Sequence, residues 1–471
     1  MSRGLVRLAL ILGCTTALLH LCGAARAATL CVNPGGTHGC YASIQAAVNH
    51  AKASDTINVA SGVYKEQVTI GMSLSLIGAD ADTTVIDATN LAHGVFVDGF
   101  DNPGLHNVTV AQFTVRHALF EGILVVSASD VTIRDNHIIN NDTTPNLNFT
   151  GALTGCLGPD DKTPQPGSGT YENDETGDCG GALHLVGTSH SIVSGNLVTG
   201  NADGLLISDE TAESHHNLVT HNVFKDNPLE CGIVLASHPP AGFSGPPFPP
   251  HFGVDHNTVE ENVSTANGVK IGGSGAGMFS DGAGQGRVSG NVIIHNKLTD
   301  NGLGGVALHT HVGPAFGLPA DNMSGNVIIG NFIAGNLADQ ADTATPGRVG
   351  ININSGGGGS PVLGTIISGN VIRDEDVDIA INTPTAVDIQ FNDLLGGKIG
   401  VADVCAFDGA SVCTGSIDAT QSYWGCTAGP GGDDCTTVSG ADILFTPFLR
   451  KSVRDDEDRD GRLTNTKPRD L

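Results

Sequence analysis

Apolar positions along the chain come in runs of four or five residues in which every second side chain is apolar, and each run is bounded by Gly, Asn or Asp. Period-two alternation of this length predicts short strands with one buried face, and no amphipathic helix of ten or more residues fits between them. Two phrases recur. Gly-apolar-x-apolar opens at Gly122, Gly204, Gly232, Gly268, Gly305 and Gly350, with Asp378-Ile-Ala-Ile as a late variant. Asn-x-apolar-x-x-Asn spans residues 196–201, 222–227, 257–262, 291–296 and 326–331. Self-similarity at this spacing predicts a solenoid.

The shortest step between such glycines, Gly181 to Gly204, is 23 residues. That is room for three short strands and three turns at about 3.3 Å per residue, one rung of a parallel β-helix. A rung cannot bury its inner face alone, so rungs stack and each strand pairs with its equivalents above and below. Right-handed crossover is the favoured hand. Asn tolerates left-handed backbone and can bond its counterpart one rung away, so the recurring Asn residues are read as structural.

Residues 1–27 carry Arg3 and Arg7, an apolar stretch from Leu8 to Leu21 and Ala25-Arg26-Ala27. They read as a secretory signal peptide, which predicts a secreted or periplasmic protein beginning near Ala28. No later apolar run is long enough for a membrane span. Of eleven cysteines, Cys14 and Cys22 fall in this leader. Eight of the rest form local pairs, Cys31/Cys40, Cys156/Cys179, Cys405/Cys413 and Cys426/Cys435, as disulfides of an exported chain do, and Cys231 is left as a buried thiol. The net charge of −27, lowered by three to −30 without Arg3, Arg7 and Arg26, argues against nucleic acid or an anionic membrane as partner. A polyanionic glycan would need bridging cations.

Residues 28–450 are expected to form the β-helix. Within it, 28–121 hold an N-terminal cap and the first strands, 122–395 the regular rungs, and 396–450 a closing section. The charged tail 451–471 is expected to be disordered. A capping helix is predicted at 43–49, then strands at 56–59, 67–70, 74–77, 84–86, 95–97, 108–110 and 113–115. Ser43-Ile-Gln-Ala-Ala-Val, Thr56-Ile-Asn-Val-Ala-Ser-Gly-Val-Tyr-Lys-Glu66, Leu74-Ser-Leu-Ile-Gly78 and Thr84-Val-Ile-Asp87 resemble the opening of pectin-lyase-like right-handed β-helix proteins. Tyr423-Trp-Gly-Cys with Gly429-Pro430 resembles the close of many secreted bacterial members, including the periplasmic copper-binding-type group. The resemblance implies an all-β, single-stranded right-handed parallel β-helix; it leaves the activity open, because the superfamily holds lyases, hydrolases, esterases, epimerases and non-enzymatic proteins. Gly62-Val-Tyr-Lys-Glu66 matches the first box of pectin methylesterases, but their later boxes have no counterpart here. The motifs of polygalacturonases, pectate lyases and alginate epimerases are also missing.

With Leu183, Leu205, Ile233, Val269, Val306 and Ile351 taken as inward, one outward column reads Leu124, His184, Leu206, Val234, Lys270, Ala307, Asn352, Ala380. A second reads Val126, Val186, Ser208, Ala236, Gly272, His309, Asn354, Asn382, with His311 two residues on. Polar groups thus collect at Lys270, His309, His311, Asn352 and Asn354. Insertions after these strands are expected to wall a groove, where solenoids bind. An extended polysaccharide is the expected partner. Cleavage of it needs a base beside a proton donor, and Lys270, His309, His311 and Asp209 are the candidate catalytic residues. His184, Asn352, Asn354 and Glu213 are the candidate substrate-binding residues. The rival readings are a non-enzymatic glycan-binding or structural rod at the cell surface and a periplasmic metal-handling accessory protein. His215 and His216 with His184 and His221, or His238, His251, His309 and His311, bring imidazoles near one another, although no metal ligand set is assigned. Calcium remains open as a cofactor: Asp456-Glu-Asp-Arg-Asp-Gly461 begins a calcium loop whose twelfth position is Lys467 instead of Glu. A monomer is expected.

Overall fold

The computed structural model describes residues 27–142, 182–237, 252–270, 272–280, 284–311, 313–339, 345–356, 358–383, 387–404, 416–440 and 442–453. Its main body is three parallel sheets, the first of 14, the second of 11 and the third of 12 strands among the described residues. Successive strands of the chain visit the sheets in turn, so that, for example, Thr132–Arg134 lies in the first, His137–Ile139 in the second and Leu183–Val186 in the third. The result is a right-handed parallel β-helix. The rung that carries Leu183 onto Leu205 is a step of 22 residues, one less than the glycine spacing suggested, and near the N-terminus the step from Asp55 to Leu74 is 19.

Inward Val, Ile and Leu side chains from all three sheets make one continuous core. At the corners the buried polar groups are Asn ladders. Between the first and second sheets Asn136, Asn196, Asn222, Asn262, Asn296, Asn331, Asn370 and Asn392 follow one another up the stack, each amide oxygen accepting from the backbone N–H of the Asn one rung below. A second ladder, Asn141, Asn201, Asn227, Asn267, Asn301 and Asn336, turns the next corner and ends on Glu375. A third runs through Asn217, Asn257, Asn291 and Asn326 ahead of the first sheet. The amides satisfy corner N–H and C=O groups that burial would otherwise strand.

The N-terminal end is closed by the helix Ile44–His50, whose N-cap Ser43 accepts from Ala46 N. Glu66 completes the cap, its two oxygens accepting from Ile44 N at 2.8 Å and Gln45 N at 2.9 Å. The Gly-x-Tyr-x-Glu phrase therefore serves as scaffold, and Gly62–Tyr64 is itself a strand. The strand Thr29–Val32, absent from the sequence reading, precedes the helix and pairs with Asp55–Val59. Cys31–Cys40 and Cys426–Cys435 are disulfides, and Cys231, half-buried where a buried thiol was expected, accepts from Ser274 N at its Sγ. Cys156–Cys179, Cys405–Cys413, the leader 1–26 and the calcium-loop phrase lie outside the described residues. Among the described residues no helix is long and apolar enough to cross a membrane.

One rung departs from the expected register. The third-sheet strand there is Ala276–Ser280, not the segment opened by Gly268, and Val234 pairs with Gly277. Ala276 and Met278 fill the core, while Val269 and Lys270 stay exposed. The reason is Gly275, which occupies the place of Gly232 and Gly305. A Cβ on Gly275 would lie 2.7 Å from Gly305 O, so glycine suits this corner here, as it does at Gly232 and Gly305, although Ala182 and Asp378 hold the same place on other rungs.

Candidate functional site

The third sheet differs from the other two in how its outer face is covered. Strands such as Thr132–Arg134 and Leu197–Thr199 alternate between buried inward and part-exposed outward positions, whereas Leu183–Val186, Leu205–Ser208 and Val306–Thr310 are buried at every position. Its first outward column reads Phe96, Leu124, His184, Leu206, Val234, Gly277, Ala307, Asn352, Ala380, Ala402. Gly277 stands where Lys270 was expected, and in the second column Phe279 stands where Gly272 was expected. Lys270 is thereby removed from the column. Polar groups on this face fall into two clusters, separated by the apolar group Leu206, Val234, Ala236 and Phe279.

The first cluster links four rungs. His93 Nδ1 lies 2.6 Å from Glu121 Oε2, Glu121 Oε1 lies 3.6 Å from His184 Nδ1, and His184 Nε2 hydrogen-bonds Ser208 Oγ at 2.8 Å. Hydroxyl, imidazole and carboxylate in this order are the elements of an activated nucleophile. All four residues are at most 1% exposed, so no substrate atom reaches Ser208 in this arrangement, and the chain of contacts ties rungs together. Asp142, also buried, has its carboxyl held well above the usual range by burial and then by the Glu121 charge. Sequence reasoning found His184 and Ser208 on the outward columns but missed His93 and Glu121, which sit in the turns two residues before the third-sheet strands Val95–Asp98 and Ile123–Val126.

The second cluster lies about four strand spacings, roughly 19 Å, from His184. His309 stacks on Phe279 with centroids 5.5 Å apart and planes 11° apart, and its Nε2 lies 2.9 Å from His311 Nε2. One imidazole must donate to the other, so the two share a proton-transfer axis. His309 is buried and His311 half-buried, which puts the accessible end at His311. One rung on, Asn352 Nδ2 donates to Asp339 Oδ2 at 2.9 Å, and Asn354 Oδ1 accepts from Gly356 N at 2.6 Å. Gly356 has a left-handed φ of 56°, and a Cβ there would meet His309 Cβ at 3.2 Å and Thr310 O at 2.3 Å.

Asp209 and Glu213 stand apart from this pair. Asp209 Oδ2 accepts from Ser237 Oγ at 2.7 Å at the corner after the third sheet. Glu213 pairs with Arg287 at 2.6 Å, and Arg287 also binds Asp255. Asp209 is about three strand spacings from the His309 rung, on the order of 14 Å. Of the eight candidate residues, the structure brings together His309, His311, Asn352 and Asn354, and leaves Lys270, Asp209, His184 and Glu213 outside. His221 pairs with Glu261 at 2.7 Å, away from His184. His238 and His251 lie outside the described residues.

The sheet order and the stacked Asn corners define the chain's fold as a right-handed parallel β-helix. The family described as right handed beta helix region matches residues 81–276. No curated protein matches the chain in sequence. Among solved structures it is similar to the A-module of a mannuronan C-5 epimerase from Azotobacter vinelandii, with 16% identity, 79% of this chain and 94% of that one covered, and a TM-score of 0.48. It is also similar to an alginate lyase from Paenibacillus sp., with 14% identity, 73% and 94% covered, and a TM-score of 0.44. The catalytic domain of a GH87 α-1,3-glucanase, solved in complex with tetrasaccharides, gives 12% identity, 88% and 66% covered, and a TM-score of 0.52. At these identities the likeness is one of fold.

Proposed function

We propose that this protein is an exported, carbohydrate-active β-helix that holds an extended polysaccharide beside the third sheet and cleaves it by proton transfer through His309 and His311. The observation that carries the reading is the 2.9 Å contact between the two imidazole nitrogens, with one ring buried on Phe279 and the other reaching the half-buried edge. Such a pair can take a proton at His311 and steady the resulting charge through His309 near neutral pH. Asn352 and Asn354, one rung on and buried, fit the role of holding the outer face beside His309 in shape through Asp339 and Gly356, not of touching the glycan. The disulfides agree with export. The glucanase, which shares the fold, was solved with tetrasaccharides, and this supports a glycan ligand at the level of fold analogy alone.

The test is turnover of a glycan panel, neutral and uronate-containing, with and without Ca²⁺, by the chain from Ala28 onward. His311→Ala and His309→Ala should each lower kcat by about 10²–10⁴-fold, the usual yield of one general acid–base group. Lys270→Ala should leave turnover unchanged. An unsaturated product would identify elimination, and a new reducing end without unsaturation would identify hydrolysis. Turnover that survives in both histidine variants, or glycan binding without any turnover, would reject the catalytic role.

A further inference from the structure

A second group of histidines sits on the opposite side of the third-to-first sheet corner, and the proposed function makes no use of it. Two residues before successive first-sheet strands the backbone turns through the left-handed region, at Asp130, His190, His216, His256, Gly290, Gly325 and Gly364. Every one of these φ values lies between 53° and 70°. Glycine adopts this conformation without steric cost, and the last three rungs use it. Three consecutive rungs place histidine there instead, each at an exposed position. The imidazoles consequently stack up the corner, His190 on His216 and His216 on His256, each pair with centroids 5.5 Å apart and planes about parallel, at 9° and 10°.

His215 closes the group from the side. It ends the short strand Ser214–His215, lies edge-on to His190 and His216, and brings its Nδ1 to 2.9 Å from His216 Nδ1. One ligating nitrogen from each of His190, His215 and His216 lies within 4.8 Å of the other two. Tetrahedral ligands about 2.0–2.1 Å from a zinc ion stand about 3.3 Å apart, so small rotations of exposed rings complete the contraction. Two nearby carboxylates, Glu213 and Asp255, are engaged by Arg287, which leaves an all-imidazole donor set.

We propose that His190, His215 and His216 form a binding site for a borderline divalent cation of the Zn(II) or Cu(II) type. Three imidazole nitrogens suit these ions and not Ca²⁺ or Mg²⁺, which take oxygen ligands. The fourth position is open to water, to a substrate group or, by a ring turn, to His256 on the adjacent rung. The site is independent of the His309–His311 pair.

The experiment is calorimetric titration of the untagged chain from Ala28 onward with Zn(II), Cu(II) and Ca(II), alongside His216→Gly and the double variant His190→Gly, His216→Gly. Glycine suits the left-handed turn, so these variants keep the fold, which circular dichroism verifies. The expected result is one equivalent of Zn(II) or Cu(II) bound, no matching Ca(II) isotherm, at least tenfold weaker binding in His216→Gly, and loss of binding in the double variant. Unchanged affinity in the double variant, or no binding of either ion below millimolar concentration, would overturn the site. X-ray absorption of the loaded protein should give nitrogen scatterers with an imidazole signature, and a thiolate signature would equally reject it.

Discussion

Asn262→Leu is expected to destabilise the protein by about 3–5 kcal/mol, with the loss concentrated in the rungs on either side. Asn262 Oδ1 accepts from Asn222 N at 2.9 Å and Asn222 Nδ2 at 3.0 Å. Its Nδ2 donates to Val219 O, Glu260 O and Asn296 Oδ1 at 2.9 to 3.0 Å. Leucine has a similar volume and makes none of these bonds. Each buried donor or acceptor left without a partner costs about 1–3 kcal/mol, and Asn222 N and Val219 O are both in that position after the change. Because each rung touches only its neighbours, the damage should be local. Amide hydrogen exchange should speed up in residues 217–227 and 291–299 while the N-terminal rungs keep their protection, and the urea midpoint should fall. A loss below about 1 kcal/mol would mean that the ladder is tolerated by the stack and does not hold it.

This dependence on corners also explains what the sequence reveals. Asn-x-apolar-x-x-Asn is legible because it marks a short strand held between two ladder amides, the second-sheet strand Leu197–Thr199 between Asn196 and Asn201 and the first-sheet strand Val292–Ile294 between Asn291 and Asn296, so both ends of the strand are marked chemically. The Gly phrase is less secure, because the length of the corner before it varies. Asn201 precedes Gly204 and Asn301 precedes Gly305, but Gly268 follows Asn267 directly, and no backbone turns the corner in so short a distance. The structure delays the strand to Ala276, and with that delay Lys270 leaves the outward face. Residues in turns are harder still. His93 and Glu121 reach His184 from the turns two residues before Val95 and Ile123, outside the alternation that marks the strands. The stacked His190, His216 and His256 were within reach of a register argument, since each stands two residues before a first-sheet strand, where later rungs carry glycine.

The end of the second ladder predicts a pH effect that the regular rungs do not have. Glu375 takes the place of the next Asn, its Oε1 accepting from Asn336 N and Asn336 Nδ2, both at 3.0 Å. Burial is the largest influence on it and pushes its pKa up to about 7, against the two Asn336 hydrogen bonds and the Arg348 charge, while Asp374 pushes it further up. Asp378, wholly buried beside it, is raised well above the usual range by burial and then by the Glu375 charge. A carboxyl with a raised folded pKa binds its proton more tightly in the folded state. Its contribution is therefore complete below the unfolded value of about 4.5 and is lost as pH rises through about 7. Glu375→Gln keeps an amide oxygen for Asn336 and carries no charge at any pH. The variant should match the natural chain at pH 5 and exceed it at pH 8 by up to about 3 kcal/mol, since each pK unit is worth about 1.4 kcal/mol. Thermal melts across pH 5 to 8 read this difference directly, with Asp378→Asn added to remove the remaining slope from the coupled pair. A natural chain whose stability fell no faster than that of Glu375→Gln would show that the carboxylate reaches water at neutral pH, and that the ladder simply ends at Asn336.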